Sequence, residues 1–266
     1  MCRLLGYVAR QPVIAEHVLE ETLEAFIEIS HLHADGWGLA WYDELGHAQH
    51  AKTPEPAHTS VEFSALAASV RTDALIAHVR WATPGFGLCM ENTHPFIHKQ
   101  FAFAHNGAVA PNDGLEALIA PHLREHISGT TDSERHFLAL LSVFEKTDPV
   151  EAFRIHMNTL RQQLQSTALN CLLLTPQALY AACDFDANAP LALRDPDYFK
   201  VYYKTTPDVV VVASTGLGQD EKTGWQNLKN GQMLVIERDT LKATIHSIAH
   251  NARNSIQEHY LSQLQR

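Results

Sequence analysis

The residue with the most reactive side chain stands next to the first methionine, in the stretch "MCRLLGYVA". Cys2 precedes an apolar run typical of a strand, and a free cysteine in such a place is commonly a small buried hydrophobe. A second interpretation has Met1 removed, which leaves Cys2 with a thiol and a free α-amine on one carbon. Such a residue is a nucleophile that carries its own base. These nine residues alone do not decide between a structural and a catalytic cysteine.

Three further stretches carry polar residues suited to substrate binding or catalysis. "HVRWATPG" places Arg80 and Thr83 at the end of a buried strand, where an arginine can also simply leave the core. "AHNGAV" contains Asn106 and Gly107, a pair that is otherwise the commonest tight turn. "TTDSE" sets Asp132 at a helix start, where acidic residues also serve as caps. Each stretch alone has an ordinary structural explanation.

The elements that must position these residues come in blocks. In the first part of the chain, apolar periodicity predicts strands at 3–9, 74–82 and 101–109. It predicts helices at 15–30, 61–70, 131–146 and 149–166. The third strand carries the turn signal of the Asn-Gly pair near its end. Six short strands follow, at 168–175, 178–185, 199–206, 208–214, 231–237 and 240–248. Because strands and helices do not alternate strictly, the pattern favours a layered α+β fold with antiparallel sheets in one domain.

Composition and charge narrow the class of protein. The chain has 266 residues, 45% of them hydrophobic, which is enough for a substantial core. Thirty acidic against twenty basic residues give a net charge of -10 without a basic stripe, so we expect no nucleic-acid or membrane partner. No apolar run approaches the length of about 18 residues typical of a membrane helix. Four scattered cysteines indicate a reducing compartment, and we expect a cytoplasmic protein.

Five stretches together resemble the class II glutamine amidotransferases of the N-terminal-nucleophile hydrolase superfamily. They are "MCRLLGYVA", "HADGWGLAWY", "HVRWATPG", "AHNGAV" and "TTDSE", and with "ENTHPF" they look most like the stand-alone branch of that family. The resemblance implies an α+β fold, a four-layer αββα sandwich with two antiparallel sheets. It also implies one domain over residues 1–266, with no cofactor and no metal.

The resemblance assigns the catalytic roles. Once Met1 is removed, Cys2 attacks the amide, and its α-amine serves as base because the reference pKa of about 7.7–8.0 lies near neutrality. The side-chain amide of Asn106 and the backbone N–H of Gly107 form the oxyanion hole. Many members carry an Arg-Gly pair upstream of the "DGWG" position, whereas this chain has Leu32-His33 there. No catalytic role passes to either residue.

The resemblance also assigns the substrate-binding roles. Arg80 binds the α-carboxylate of a γ-glutamyl group through its bidentate guanidinium. Asp132 binds the α-ammonium, and Trp81 and Thr83 line the pocket. The implied reaction is thiolate attack on glutamine or another small γ-glutamyl amide, loss of the amine, and hydrolysis of the thioester. A separate synthase subunit is one implied destination of the ammonia.

Two other functions remain open at this point. "HLREH" matches a metalloprotease motif in which His122 and His126 bind zinc, although the stretch is short and polar and lacks an evident third ligand. The second alternative is a catalytically silent module that uses the same pocket to sense glutamine or a γ-glutamyl compound. Zinc content discriminates the first alternative, and labelling by a glutamine-mimicking electrophile discriminates the second.

Overall fold

A computed structural model describes residues 2–83 and 85–248, which form two sheets flanked by helices. The strands are β1 (Arg3–Ile14), β2 (Trp37–Tyr42), β3 (Ala48–Thr53), β4 (Arg71–Val79), β5 (Phe96–His98), β6 (Phe101–Ala110), β7 (Gln165–Leu174), β8 (Ala178–Cys183), β9 (Val201–Thr205), β10 (Val209–Ser214), β11 (Trp225–Leu228), β12 (Gln232–Glu237) and β13 (Ala243–Ser247). The α-helices are α1 (Ala15–Ile29), α2 (Val61–Ser69), α3 (Asn112–Ala117), α4 (Pro121–Arg124), α5 (Asp132–Phe144), α6 (Pro149–Gln163) and α7 (Pro190–Arg194).

Both sheets are antiparallel throughout the described residues. The seven-stranded sheet has the order β11-β9-β10-β1-β4-β2-β3, and the six-stranded sheet has the order β13-β12-β8-β7-β6-β5. The first strand of the chain is therefore central in its sheet, between β4 and β10. The α+β class with two antiparallel sheets is confirmed.

Alternation along β1 shows how the layers arise. Leu4 and Val8 lie in the core between the two sheets, whereas Leu5 and Tyr7 pack beneath α1 and α2, because successive side chains of a strand point to opposite faces. The outer face of the six-stranded sheet packs in the same way against α5 and α6. The order is helices, sheet, sheet, helices, which is the four-layer αββα sandwich that the sequence predicts.

The strand β6 corrects one prediction. It continues to Ala110, and both Asn106 and Gly107 pair with β7 instead of forming a turn. A Cβ atom on Gly107 would collide with the backbone carbonyl of Ala168 in β7. Glycine is needed here for the close approach of two strands, and the hairpin interpretation of this pair is wrong.

The helices and strands that the sequence missed are short. Three of the strands, β3, β5 and β11, lie at sheet edges and read "AQHAKT", "FIH" and "WQNL". Such strands bury one side at most, so they lack the alternation that predicts a strand. The longer predicted helices are confirmed as α1, α2, α5 and α6, although α1 is broken at Glu20, where φ is 42°.

The single domain over residues 1–266 stays a prediction, and Met1, whose removal the sequence predicts, lies outside the described residues. Within the described ranges, no helix combines the length and the apolar character needed to cross a membrane.

Candidate active site

The predicted site residues meet in a small cavity at one end of the sandwich. Six of the seven line it, namely Cys2, Arg80, Trp81, Thr83, Gly107 and Asp132. Asn106, the seventh, directly precedes Gly107 in β6. The cavity measures about 20 Å³, room for about one water molecule. The structure therefore gathers residues that are up to 130 positions apart in the sequence.

The start of β1 fixes Cys2. Its carbonyl oxygen accepts a hydrogen bond from the Arg3 guanidinium at 3.0 Å, and the backbone N–H of Leu4, two residues further on, donates to Ser214 Oγ at 3.0 Å. The Cys2 thiol is 8% exposed and lies 3.7 Å from the Trp81 carbonyl oxygen. Burial raises the pKa of the Cys2 thiol, against the opposing effect of the positive charge on Arg80. The thiol is therefore protonated at neutral pH, and attack needs a base that removes the proton.

The "DGWG" stretch holds the segment that carries Arg80. The Arg80 N–H donates to the Gly36 carbonyl oxygen at 2.7 Å, and the Arg80 carbonyl accepts from the Asp35 N–H at 3.0 Å. The Asp35 carboxylate accepts from the Ala82 N–H at 2.8 Å. Asp35 is therefore a positioning residue for the substrate pocket. The sequence signal for this role was its place in the "DGWG" motif.

Arg80 is a buried cation that has no acidic partner among the described residues. Its side chain ends among the cavity residues, and the residue is 3% exposed. One guanidinium nitrogen donates to the Gly87 carbonyl oxygen at 3.2 Å. Within residues 2–83 and 85–248, no carboxylate lies within ion-pair distance of Arg80. Because a buried charge without a counter-ion is costly, an anion bound in the cavity would stabilise the Arg80 guanidinium.

Asn106 offers an unused amide close to Cys2. Ala104 of β6 lies in the core between the two sheets, and Asn106, two residues further on, faces the same space because side chains alternate along a strand. By the same argument Cys2, two residues before Leu4 of β1, faces this space from the other sheet. Asn106 is 1% exposed, and neither side-chain polar atom has a hydrogen-bond partner among the described residues. An unpaired buried amide is costly in a resting protein. Its N–H is available to a charge that develops during a reaction.

Replacing Asn106 by alanine should lower kcat by roughly 10²–10³-fold with little change in KM, because the amide donor is needed most in the transition state. The melting temperature should hold, since the removed amide makes no hydrogen bond within the described structure. Asn227→Ala, at an exposed asparagine of β11, is the matched control. A rise in KM at constant kcat would make Asn106 a substrate-binding residue instead.

The start of α5 places Asp132 beside the cavity. Thr131 caps the helix, because its side-chain oxygen accepts from the Glu134 N–H at 3.3 Å. One oxygen of the Asp132 carboxylate accepts from the Val109 N–H at 2.7 Å, which ties the helix to β6. Asp132 is 5% exposed. The second carboxylate oxygen, 3.5 Å from Ser133 Oγ, has capacity for a further cationic donor.

Five buried histidines continue from the cavity into the core, and sequence reasoning missed them. We call His94, His78, His105, His136 and His156 the histidine row. The rings of His94 and His78 stack at 4.1 Å, His78 lies beside the His105 backbone, and the rings of His105, His136 and His156 follow at 4.8 and 4.9 Å. Burial lowers the pKa of every ring in the row, and that of His156 to about 3. The row is therefore neutral at pH 7.

The metalloprotease motif does not form a metal site in the described structure. Helix α4 ends at Arg124, so His122 and His126 do not share a helix. His122 lies 3.0 Å from the Glu145 carboxylate, and the His126 ring packs against His98. The described residues contain no group of three or more histidine, cysteine or acidic side chains arranged to bind a metal ion.

Of the two residues in place of the Arg-Gly pair, His33 contributes packing and Leu32 lies exposed. Leu32 is 72% exposed. The His33 ring packs edge-on against Trp81 at 5.5 Å, and its Nδ1 atom lies 3.0 Å from the Ile29 carbonyl oxygen. His33 therefore supports one wall of the cavity.

Comparison with known proteins agrees with this geometry. The family model described as "Glutamine amidotransferases class-II" matches residues 1–259. The chain belongs to this family. Among solved structures, this amidotransferase is similar to the glutamine aminotransferase class-II domain protein SPO2029 from Silicibacter pomeroyi. The two share 26% identity at a TM-score of 0.68, over 94% of this chain and 100% of that one.

Two curated relatives of this class II amidotransferase are similar over part of their length. Probable glutamine amidotransferase DUG3 of Saccharomyces cerevisiae is 30% identical over 55% of this chain and 46% of its own. The gamma-glutamyl-hercynylcysteine sulfoxide hydrolase of Mycobacterium tuberculosis is 29% identical over 41% of this chain and 50% of its own. The matched region thus spans about half the length of each relative.

Proposed function

We propose that this chain hydrolyses the amide bond of glutamine or another γ-glutamyl compound through a thioester on Cys2. The observation that carries the proposal is the buried guanidinium of Arg80, which forms no ion pair within the described residues and lies in the same cavity as the Cys2 thiol. A γ-glutamyl group presents an α-carboxylate to such a cation and an amide to such a thiol. Membership of the class II amidotransferases and the name of the mycobacterial relative support this chemistry.

The proposed reaction begins with proton transfer from the Cys2 thiol to its own α-amine after Met1 is removed. The thiolate attacks the amide carbon, and the oxyanion receives hydrogen bonds from the Asn106 side chain and the Gly107 N–H. Collapse of the tetrahedral intermediate breaks the C–N bond, and the ammonium proton leaves with the amine. Water then attacks the thioester, which returns the thiol and releases glutamate.

Arg80 and Asp132 hold the amino-acid end of the substrate in this proposal, with Trp81 and Thr83 as walls. Opposite charges on the protein meet opposite charges on the zwitterion, so the amide is fixed against Cys2. Because the cavity of about 20 Å³ is smaller than a γ-glutamyl group, its walls must move apart when the substrate enters. We further propose one cytoplasmic domain over residues 1–266, with ammonia either released or passed to a separate synthase subunit.

Substrates blocked at one end test this grip. Wild-type protein should reject glutamine whose α-amine is acetylated or whose α-carboxylate is amidated. Arg80→Ala should cease to distinguish the carboxylate, and Asp132→Ala should cease to distinguish the amine. Each loss should lower kcat/KM for glutamine by at least ~10-fold, because a charge-assisted hydrogen bond contributes about 1.5–3 kcal/mol. The measurement is kcat/KM for the three substrates with each variant.

Two variants serve as controls for this experiment. Arg80→Lys keeps the charge but loses the bidentate geometry, so it should remain clearly impaired. Arg71→Ala removes an exposed arginine at the other end of β4 and should behave as wild type. Equal turnover of blocked and unblocked substrates by wild type would disprove the γ-glutamyl assignment.

A further inference from the structure

A second, larger opening lies next to the cavity. It is a cleft of about 710 Å³, which falls in the range of small-molecule sites of roughly 300–1,000 Å³. We call it the β6 cleft. Strand β6, the junction of α6 with β7, and the segment 184–190 form its walls.

The β6 cleft begins where the proposed oxyanion hole ends. Asn106, Ala108 and Ala110 lie on the same face of β6, since side chains alternate along a strand. Ala108 and Ala110 line the cleft, and Gly107 lines the cavity of Cys2. At a rise of about 3.3 Å per residue, Ala108 stands roughly 7 Å from Asn106 along the strand. Asn106 therefore shares a face of β6 with two lining residues of the cleft, and its chain neighbours His105 and Gly107 line the cavity.

A series of side-chain contacts connects the opposite wall of the cleft to Cys2. Phe185 lines the cleft, and its ring stacks on Phe199 at 5.8 Å. The neighbouring ring of Tyr198 lies under the Arg3 guanidinium at 4.8 Å, and Arg3 binds the carbonyl oxygen of Cys2. The wall of the cleft thus leads back to the residue that attacks the amide.

The charges of the cleft are unsuited to an anion. Arg161 is the one cation among the described lining residues, and it forms an ion pair with Asp184. The distance from Arg161 Nε to Asp184 Oδ1 is 2.9 Å. A third guanidinium nitrogen of Arg161 donates to Asn158 Oδ1 at 3.1 Å. Asp186 adds an exposed carboxylate. The other described lining residues are uncharged, and most of them are apolar.

We propose that the β6 cleft binds the amine half of a γ-glutamyl amide larger than glutamine, an amine that is apolar or aromatic and carries no carboxylate. The inference rests on the proposed function. With the glutamyl half held by Arg80 and Asp132, the substituent on the amide nitrogen extends past Asn106 into the cleft. Hydrolysis consumes one water, breaks the C–N bond, leaves glutamate in the cavity, and releases the protonated amine through the open cleft.

The test compares three γ-glutamyl amides that are substituted on the amide nitrogen, with glutamine as reference. They are γ-glutamylmethylamide, γ-glutamylbenzylamide and γ-glutamylglycine. In wild type, kcat/KM for the benzylamide should exceed that for the methylamide by at least about 10-fold, the scale of one well-filled apolar pocket. The glycine conjugate should be the poorest of the three. Ala110→Phe fills the cleft and should lower the benzylamide-to-methylamide ratio by about 10-fold or more. Ala187→Phe, exposed in the segment 184–190 but outside the lining, should keep the wild-type ratio.

The outcomes separate this inference from the function on which it rests. Turnover of glutamine with a benzylamide-to-methylamide ratio near one, unaffected by Ala110→Phe, would overturn the cleft assignment and leave the hydrolase intact. A higher kcat/KM for γ-glutamylglycine than for the benzylamide would disprove the inference that the amine carries no carboxylate. Absence of turnover on every γ-glutamyl amide would overturn the proposed function, and the inference with it.

Discussion

Replacing Cys2 by alanine or serine should abolish amide hydrolysis while the fold remains, with a loss of at least about 10⁴-fold in kcat for alanine. The loss is expected to be large because either substitution removes the thiol, the proposed covalent nucleophile, and the α-amine that remains cannot replace it. Burial raises the pKa of the Cys2 thiol, so almost no thiolate exists without that base. The assay is glutamate release from glutamine, with the fold checked by thermal unfolding.

Intact mass and labelling complete this experiment. The mass of the purified protein should lack Met1, and a glutamine-mimicking electrophile should alkylate Cys2 alone. Cys89→Ser, at a half-buried cysteine outside the cavity lining, should retain activity and labelling. Turnover by Cys2→Ala above a hundredth of the wild-type rate would refute the nucleophile assignment, since this threshold is about 100-fold above the residual activity that we expect. An unlabelled Cys2 would favour a silent sensing module.

Acidification from pH 7 to about pH 5 should strongly destabilise the protein through the histidine row. In the unfolded chain these rings bind protons near their usual pKa of about 6.5, whereas burial holds the pKa of His78, His94, His136 and His156 lower in the folded state. The unfolded state thus binds more protons below pH 6.5, and stability falls with pH. At pH 5 His156, whose pKa burial lowers to about 3, costs about 2 kcal/mol, and the other three rings add to this loss against a typical total stability of about 5–15 kcal/mol.

Urea unfolding between pH 7.5 and 5 measures this effect. The free energy of unfolding should be nearly constant above pH 7 and should fall steeply below pH 6.5. His136→Gln replaces one buried imidazole by a group that does not titrate, and it should reduce the slope by about one proton. His17→Gln, at an exposed histidine of α1, should leave the slope unchanged. A stability that is flat down to pH 5 would show that the row already accepts protons when folded.

The sequence predicted which residues come together better than it predicted the strand that carries Asn106 and Gly107, for physical reasons. Cys2, Arg80 and Asp132 lie in motifs whose order the resemblance makes specific, and the structure places all three on one cavity. The resemblance implied the role of Asn106, whereas the local pattern predicted a turn at this residue, because Asn-Gly is a common turn pair. Pairing with β7 overrides this local preference, and only the tertiary structure shows it.

The histidine row and the β6 cleft had no signal in the sequence. The five histidines occupy three strands or loops and two helices with no common period, so nothing in the chain indicates that their rings touch. The cleft depends on how the segment 184–190 folds back on β6, which local patterns do not encode. The α+β class, by contrast, followed from the blockwise order of elements, because each long element buries enough apolar residues to show a period.

The central position of β1 has a consequence for the life of the chain before it folds. β1 pairs with β10, whose residues end at Ser214, so the strand that carries Cys2 acquires its second neighbour only after four fifths of the chain has been synthesised. Pairings between such distant segments form slowly. Until then the amino end is open to an aminopeptidase, whereas in the folded protein Cys2 is buried. We therefore expect Met1 to be removed while the chain is still on the ribosome, before the sheet closes around Cys2.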